Sequence, residues 1–61
     1  MSQQLIRDIL RGLEKEHNFT HKEAVNALSE HLGRSEFTIY GYLSGKPVPS
    51  MVIKFLKADP P

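Results

Sequence analysis

One short stretch constrains this chain more than any other: Gly33-Arg34-Ser35-Glu36-Phe37-Thr38-Ile39-Tyr40-Gly41-Tyr42-Leu43-Ser44-Gly45. Between the serine and the second glycine there is room for only about two and a half helical turns. Gly33 ends the helix before it, because glycine reaches positive φ without a Cβ clash. Ser35 offers a side-chain acceptor to an orphan amide of the next helix. Ile39, Tyr42 and Leu43 then recur at three- and four-residue spacing, which places them on one buried face. Phe37, Tyr40, Gly41 and Ser44 fall on the opposite face. A short helix that turns Phe37 and Tyr40 toward solvent reads as a contact surface, although Phe37 becomes core if the register rotates.

The rest of the chain supplies helices to pack against this one. Ser2 to His17 carries Leu5, Ile6, Ile9, Leu10 and Leu13 as an amphipathic stripe. Ser2 is expected to cap this helix, and Gly12 to mark a close helix crossing. Arg7, Arg11 and Lys15 form a row that reads as a solvated face with local pairs to Glu14 or Asp8, or in part as a phosphate contact. The His17-Asn18-Phe19 segment breaks the pattern, with Phe19 covering the core beneath the loop. Thr20 and Glu23 match a capping box, so a second helix starts at His21. Its apolar positions are Ala24, Val25, Ala27, Leu28 and Leu32, and Ser29 is the small residue at its crossing with the third helix, Glu36 to Ser44. Lys46-Pro47-Val48-Pro49 reads as a rigid connector, with Pro49 suited to a first helical turn. A fourth helix follows over Ser50 to Lys57, with Val52, Phe55 and Leu56 inward and Met51 and Ile53 partly exposed. Residues 57–61 form a tail. The expected fold is all-α: a single domain over 1–61, built as a small bundle of four helices, or five if a short turn is counted.

At 61 residues the chain holds one small core, and with no cysteine it has no disulfide to reinforce it. Helix packing and a partner subunit are the remaining supports. The lack of cysteine fits a reducing compartment, and a cytoplasmic location is expected. No stretch has the apolar length of a membrane span and no signal peptide is visible. The chain reads as a complete small protein rather than a piece of a larger regulator. Eight Lys and Arg against seven Asp and Glu give a net charge of +1, so any polyanion must be met by a few well-placed cations.

The pattern Leu32-Gly33-x-Ser35-x-x-Thr38-Ile39-x-x-Tyr42-Leu43-Ser44-Gly45 resembles the helix-turn-helix of lambda-repressor/Cro-type DNA-binding regulators. The Pro47-Val48-Pro49-Ser50-Met51-Val52 segment, with the ending Leu56 to Pro61, is similar to the short anti-CRISPR-associated autorepressors of phages and mobile elements. Two features differ from the family's pattern. His21 and Lys22 stand where the second helix often starts with glutamine, and that helix is about one turn longer than in the shortest members. The resemblance implies that the third helix enters the major groove of double-stranded DNA, with base contacts from Arg34, Ser35, Glu36, Phe37 and Tyr40. It also implies phosphate contacts from Lys22, Thr38, Ser44 and Lys46. The function implied is a transcriptional repressor or autoregulator that binds an inverted-repeat operator as a homodimer; the expected dimer surface is Met51, Ile53 and Phe55 of the fourth helix, with the first helix as the second choice. The outward face of the third helix holds no Arg, Lys, Asn or Gln, the usual donors to purine edges. Glu36 can accept from a cytosine amino group, and Phe37 and Tyr40 can pack on thymine methyls. Glu36 also reads simply as a favourable charge at a helix N-terminus.

Other functions fit less well. His17, His21 and His31 lack the spacing of a metal site, so no metal and no cofactor is expected. An enzyme is not expected either, because there is no cysteine nucleophile, no Gly-rich phosphate loop and little room for a pocket. The alternative is a small helical protein-interaction module, adaptor or antitoxin-like, that uses the exposed aromatics Phe37 and Tyr40. Cation placement separates the two. Arg34, Lys46 and the first-helix row gather around Phe37 and Tyr40 for DNA, whereas an apolar face rimmed by acids suits a protein.

Overall fold

The computed structural model describes residues 2–61; the side chain of Ser2, and with it the expected cap of the first helix, lies outside that description. Every regular element among the described residues is a helix: α1 (Ser2–His17), α2 (His21–Leu32), α3 (Glu36–Leu43) and α4 (Ser50–Ala58). α4 takes in Lys57 and Ala58 from the expected tail.

Local chemistry sets the helix ends. α1 stops at Asn18, whose φ of 56° is left-handed, a conformation asparagine tolerates better than most residues. α2 starts on a complete capping box: the Glu23 amide donates to Thr20 Oγ1 at 3.2 Å and the Thr20 amide to Glu23 Oε1 at 2.9 Å. It ends in a Schellman motif around Gly33 at φ 67°, with the Arg34 amide on the Ser29 carbonyl and the Gly33 amide on the Glu30 carbonyl. α3 repeats this ending around Gly45, where the Lys46 amide reaches the Gly41 carbonyl and the Gly45 amide the Tyr42 carbonyl. Pro49 caps α4 rather than entering its first turn, and its carbonyl accepts from the Val52 and Ile53 amides.

The core gathers one stripe from each helix. Ile6, Leu10 and Leu13 of α1 meet Ala24, Val25 and Leu28 of α2, Ile39 and Tyr42 of α3, and Val52 and Leu56 of α4. Tyr42 is 6% exposed and belongs to the core. Ile9, Phe19, Ala27, Leu32, Leu43 and Ile53 pack around it half-buried. Buried Ser29 lies at the α2 end, and its hydroxyl donates to the Asn26 carbonyl at 2.7 Å, so the polar atom carries no unpaired cost.

Three expectations are corrected. Gly12 marks no helix crossing, since a Cβ built there meets nothing within 4 Å. Phe55 is not on the inner face of α4: it is 41% exposed and tilts against the His31 ring at 5.2 Å. Val48 belongs to the core, not merely to a connector. The flanking prolines favour an extended segment, and within it the Val48 side chain is buried.

Candidate nucleic-acid interface

α3 is short and is secured at both ends. At its start Ser35 Oγ accepts from the Thr38 amide at 3.2 Å and pairs with the Thr38 hydroxyl at 3.0 Å. At its end Ser44 Oγ donates to the Gly41 carbonyl at 3.0 Å. The Gln3 side-chain amide donates to the Leu43 carbonyl, tying α1 to the same end. An eight-residue helix is far below the length that holds in water alone, so these ties and the buried Ile39 and Tyr42 keep it formed.

With Ile39 and Tyr42 inward, Phe37 is 78% exposed and Tyr40 43% exposed. Phe37 is therefore a surface residue. Glu36 is half-buried in the first turn. The hydroxyls of Ser35, Thr38 and Ser44 are all engaged in α3's own ends. Lys22 is exposed in the first turn of α2.

Cations border this face on two sides. On one side the Lys46 ammonium lies 5.6 Å from the centre of the Phe37 ring. On the other, Arg7 and Arg11 of α1 line a cleft with Glu14, His21 and Leu43. The His21 ring stands 6.4 Å from that of Tyr40 and its Nδ1 is 3.3 Å from Glu14 Oε2. That contact is the only ion pair among the described residues. The local pairs expected along α1 do not form, because Asp8 accepts from Gln4 at 2.8 Å and Glu14 reaches across the loop to His21. Arg7 and Arg11 thus make no direct ion pair among the described residues, although Glu14 shares their cleft.

Arg34 is exposed in the turn before α3. It lines a groove with Leu32, Met51, Val52 and Phe55, on the α4 side of the turn. Met51 there is 80% exposed. Ile53, expected to be partly exposed, is half-buried and packs against the core.

The histidines are dispersed. His17 stacks on Phe19 at 5.1 Å, His21 joins Glu14, and His31 Nε2 meets the Asp59 carbonyl at 2.7 Å. Among the described residues no group of His, Asp and Glu is placed to hold a metal ion. No described helix is long and apolar enough to cross a membrane.

Sequence periodicity missed three parts of this arrangement. The Gln3 tie joins positions 40 apart and has no local signature. The return of Lys46 over α3 was signalled only by Gly45. His21 was legible as a helix-start residue, not as the neighbour of Tyr40.

No curated protein and no solved structure matches the chain. A family model described as an HTH domain matches residues 1–44, which takes in α1, α2 and α3 and stops at the serine that closes α3. α2 and α3 joined by the turn at Gly33 make up the helix-turn-helix, and the chain belongs to this helix-turn-helix family of DNA-binding domains.

Proposed function

We propose that the protein is a sequence-specific transcriptional repressor that acts on its own promoter, binding an inverted-repeat operator as a homodimer with α3 in the major groove. The observation that carries this reading is the face of α3: Phe37 and Tyr40 outward, Lys46 on one flank and the Arg7–Arg11 cleft on the other. Cations placed this way supply the phosphate attraction that a net charge of +1 does not. Glu36, Phe37 and Tyr40 are the base-facing residues of this reading, and Lys22, Arg7 and Arg11 face the phosphates. Ser35, Thr38 and Ser44 act mainly by shaping α3, and any phosphate they touch is a second bond. Within the helix-turn-helix group the reading is of the lambda-repressor/Cro type, in the short form of an anti-CRISPR-associated autorepressor working in the cytoplasm.

The dimer surface of this reading is the outer face of α4, Met51 and Phe55, with Arg34 and Leu32 beside it. It pairs two copies so that each contributes one half-site.

Selection of the purified protein on a randomised duplex pool at two salt concentrations tests the reading. Enrichment of an inverted repeat is expected, together with silencing of a reporter that carries the protein's own upstream region. A folded protein that enriches no sequence would overturn the reading and favour the interaction module, for which the 78% exposure of Phe37 is the supporting observation.

A further inference from the structure

Lys46 is not simply a cation near the groove helix. Gly45, at φ 113°, turns the chain back, and the Lys46 amide is bonded to the Gly41 carbonyl at 3.0 Å. The aliphatic stem then lies over Gly41, where a Cβ would stand 3.2 Å from Lys46 Cδ. This brings the ammonium to 5.6 Å from the centre of the Phe37 ring, more than one helical turn back toward the start of α3. A lysine that would otherwise trail toward the backbone is drawn back along the exposed flank of the helix.

The two side chains complement each other chemically. The ring is a large apolar surface left in water. The ammonium carries three donors, and a contact with a ring face leaves donors free. The outward positions of α3 otherwise hold no Arg, Lys, Asn or Gln to read purine edges. The major groove presents the matching pair side by side: the 5-methyl of a pyrimidine and the O6 and N7 acceptors of guanine.

We propose that Phe37 and Lys46 form one reading unit, in which the ring packs on a pyrimidine 5-methyl group and the ammonium donates to the O6/N7 edge of an adjacent guanine. This rests on the reading of α3 as the groove helix, names the base chemistry it recognises, and moves Lys46 from the phosphates to the base edges. Gly41 is then the position that lets the lysine stem lie flat.

Base analogues in the selected duplex test it, with affinity read by fluorescence anisotropy. Deoxyuridine replaces each thymine in turn, 5-methylcytosine each cytosine, and 7-deazaguanine each guanine. For the wild type, loss of the contacted thymine methyl should weaken binding about fourfold, and loss of the contacted guanine N7 about tenfold. A gain at a cytosine on methylation, with no loss at any thymine, would assign the methyl to 5-methylcytosine instead. The methyl effect should vanish in Phe37→Ala, and the N7 effect in Lys46→Met, which keeps the stem over Gly41. Both positions are exposed, and circular dichroism checks that each variant keeps its helices. The unit is refuted if the wild type binds its site but ignores all the analogues. It is equally refuted if Lys46→Met weakens every duplex by one factor with a shallower salt dependence, the behaviour of a phosphate contact. Failure to bind any duplex would instead remove the groove reading on which the unit depends.

Discussion

At the scale of single residues, the glycines separate backbone need from space. Gly33 has open room for a Cβ but sits at φ 67°, so Gly33→Ala should cost about 1–2 kcal/mol through conformation alone. Gly12 also has open room but is an ordinary helical residue, so Gly12→Ala should stabilise the protein by about 0.5–1 kcal/mol. Urea unfolding of the two variants reads both, and equal signs would contradict the account. The Thr20 cap is a third case: Thr20→Ala should cost about 1 kcal/mol, since it removes the hydroxyl that receives the Glu23 amide. These positions were legible in the sequence because each effect is made within a few residues: Thr20 with Glu23, Gly33 with Ser29 and Glu30. Gly12 was misjudged because a glycine shows that a side chain is missing, not what stands opposite.

At the scale of elements, α3 and α4 depend on their neighbours in different ways. α3 has eight residues, well below the length at which a helix persists in water, and fully buries only Ile39 and Tyr42. A synthetic peptide spanning 33–46 should therefore show no helical circular dichroism, although residues 36–43 within it are helical in the protein. α4 has no side-chain cap and is held through Val52, Leu56 and the contact of His31 with the Asp59 carbonyl. Leu56→Ala should cost about 2–5 kcal/mol. Met51→Ala, at an 80% exposed site, should change stability by no more than about 0.5 kcal/mol. Comparable losses at both positions in urea unfolding would mean that the inward and outward faces of α4 are wrongly assigned. The existence of all four helices was readable from apolar spacing, glycines and prolines, and their limits to within one residue at the ends of α3 and α4. The facing of Phe55 was not, because an aromatic at the margin of the inward stripe can turn either way, and the nearby His31 ring settles it.

At the scale of the whole molecule, a chain with extents of 28 × 23 × 21 Å covers little more than one half-site of duplex DNA. Two copies side by side suit half-sites about 34–36 Å apart, one helical turn. A core this small gives marginal stability, and in the proposed dimer coupling to a second copy would make the melting temperature depend on concentration. Phe55→Glu on the outer face of α4 is expected to yield a folded monomer by analytical ultracentrifugation that binds the full operator at least about tenfold more weakly than wild type. An unchanged sedimentation coefficient and unchanged affinity would place the dimer contact elsewhere.

The sequence by itself determined that there are four helices, the caps at Thr20, Gly33 and Ser35, and the stripes that α1, α2 and α3 bury. Helix period, capping chemistry and glycine conformation all act over a few residues, so they are written in local order. It also carried the helix-turn-helix pattern, because two helices joined by a tight turn are a local unit. Only the tertiary structure decided which charged groups share a face. It brought Lys46 back over Phe37, opened the Arg7–Arg11 cleft beside His21, sent Arg34 to the α4 groove and joined Gln3 to Leu43. Long polar side chains have many rotamers and partners of similar energy, and what selects among them is packing between segments far apart in the chain.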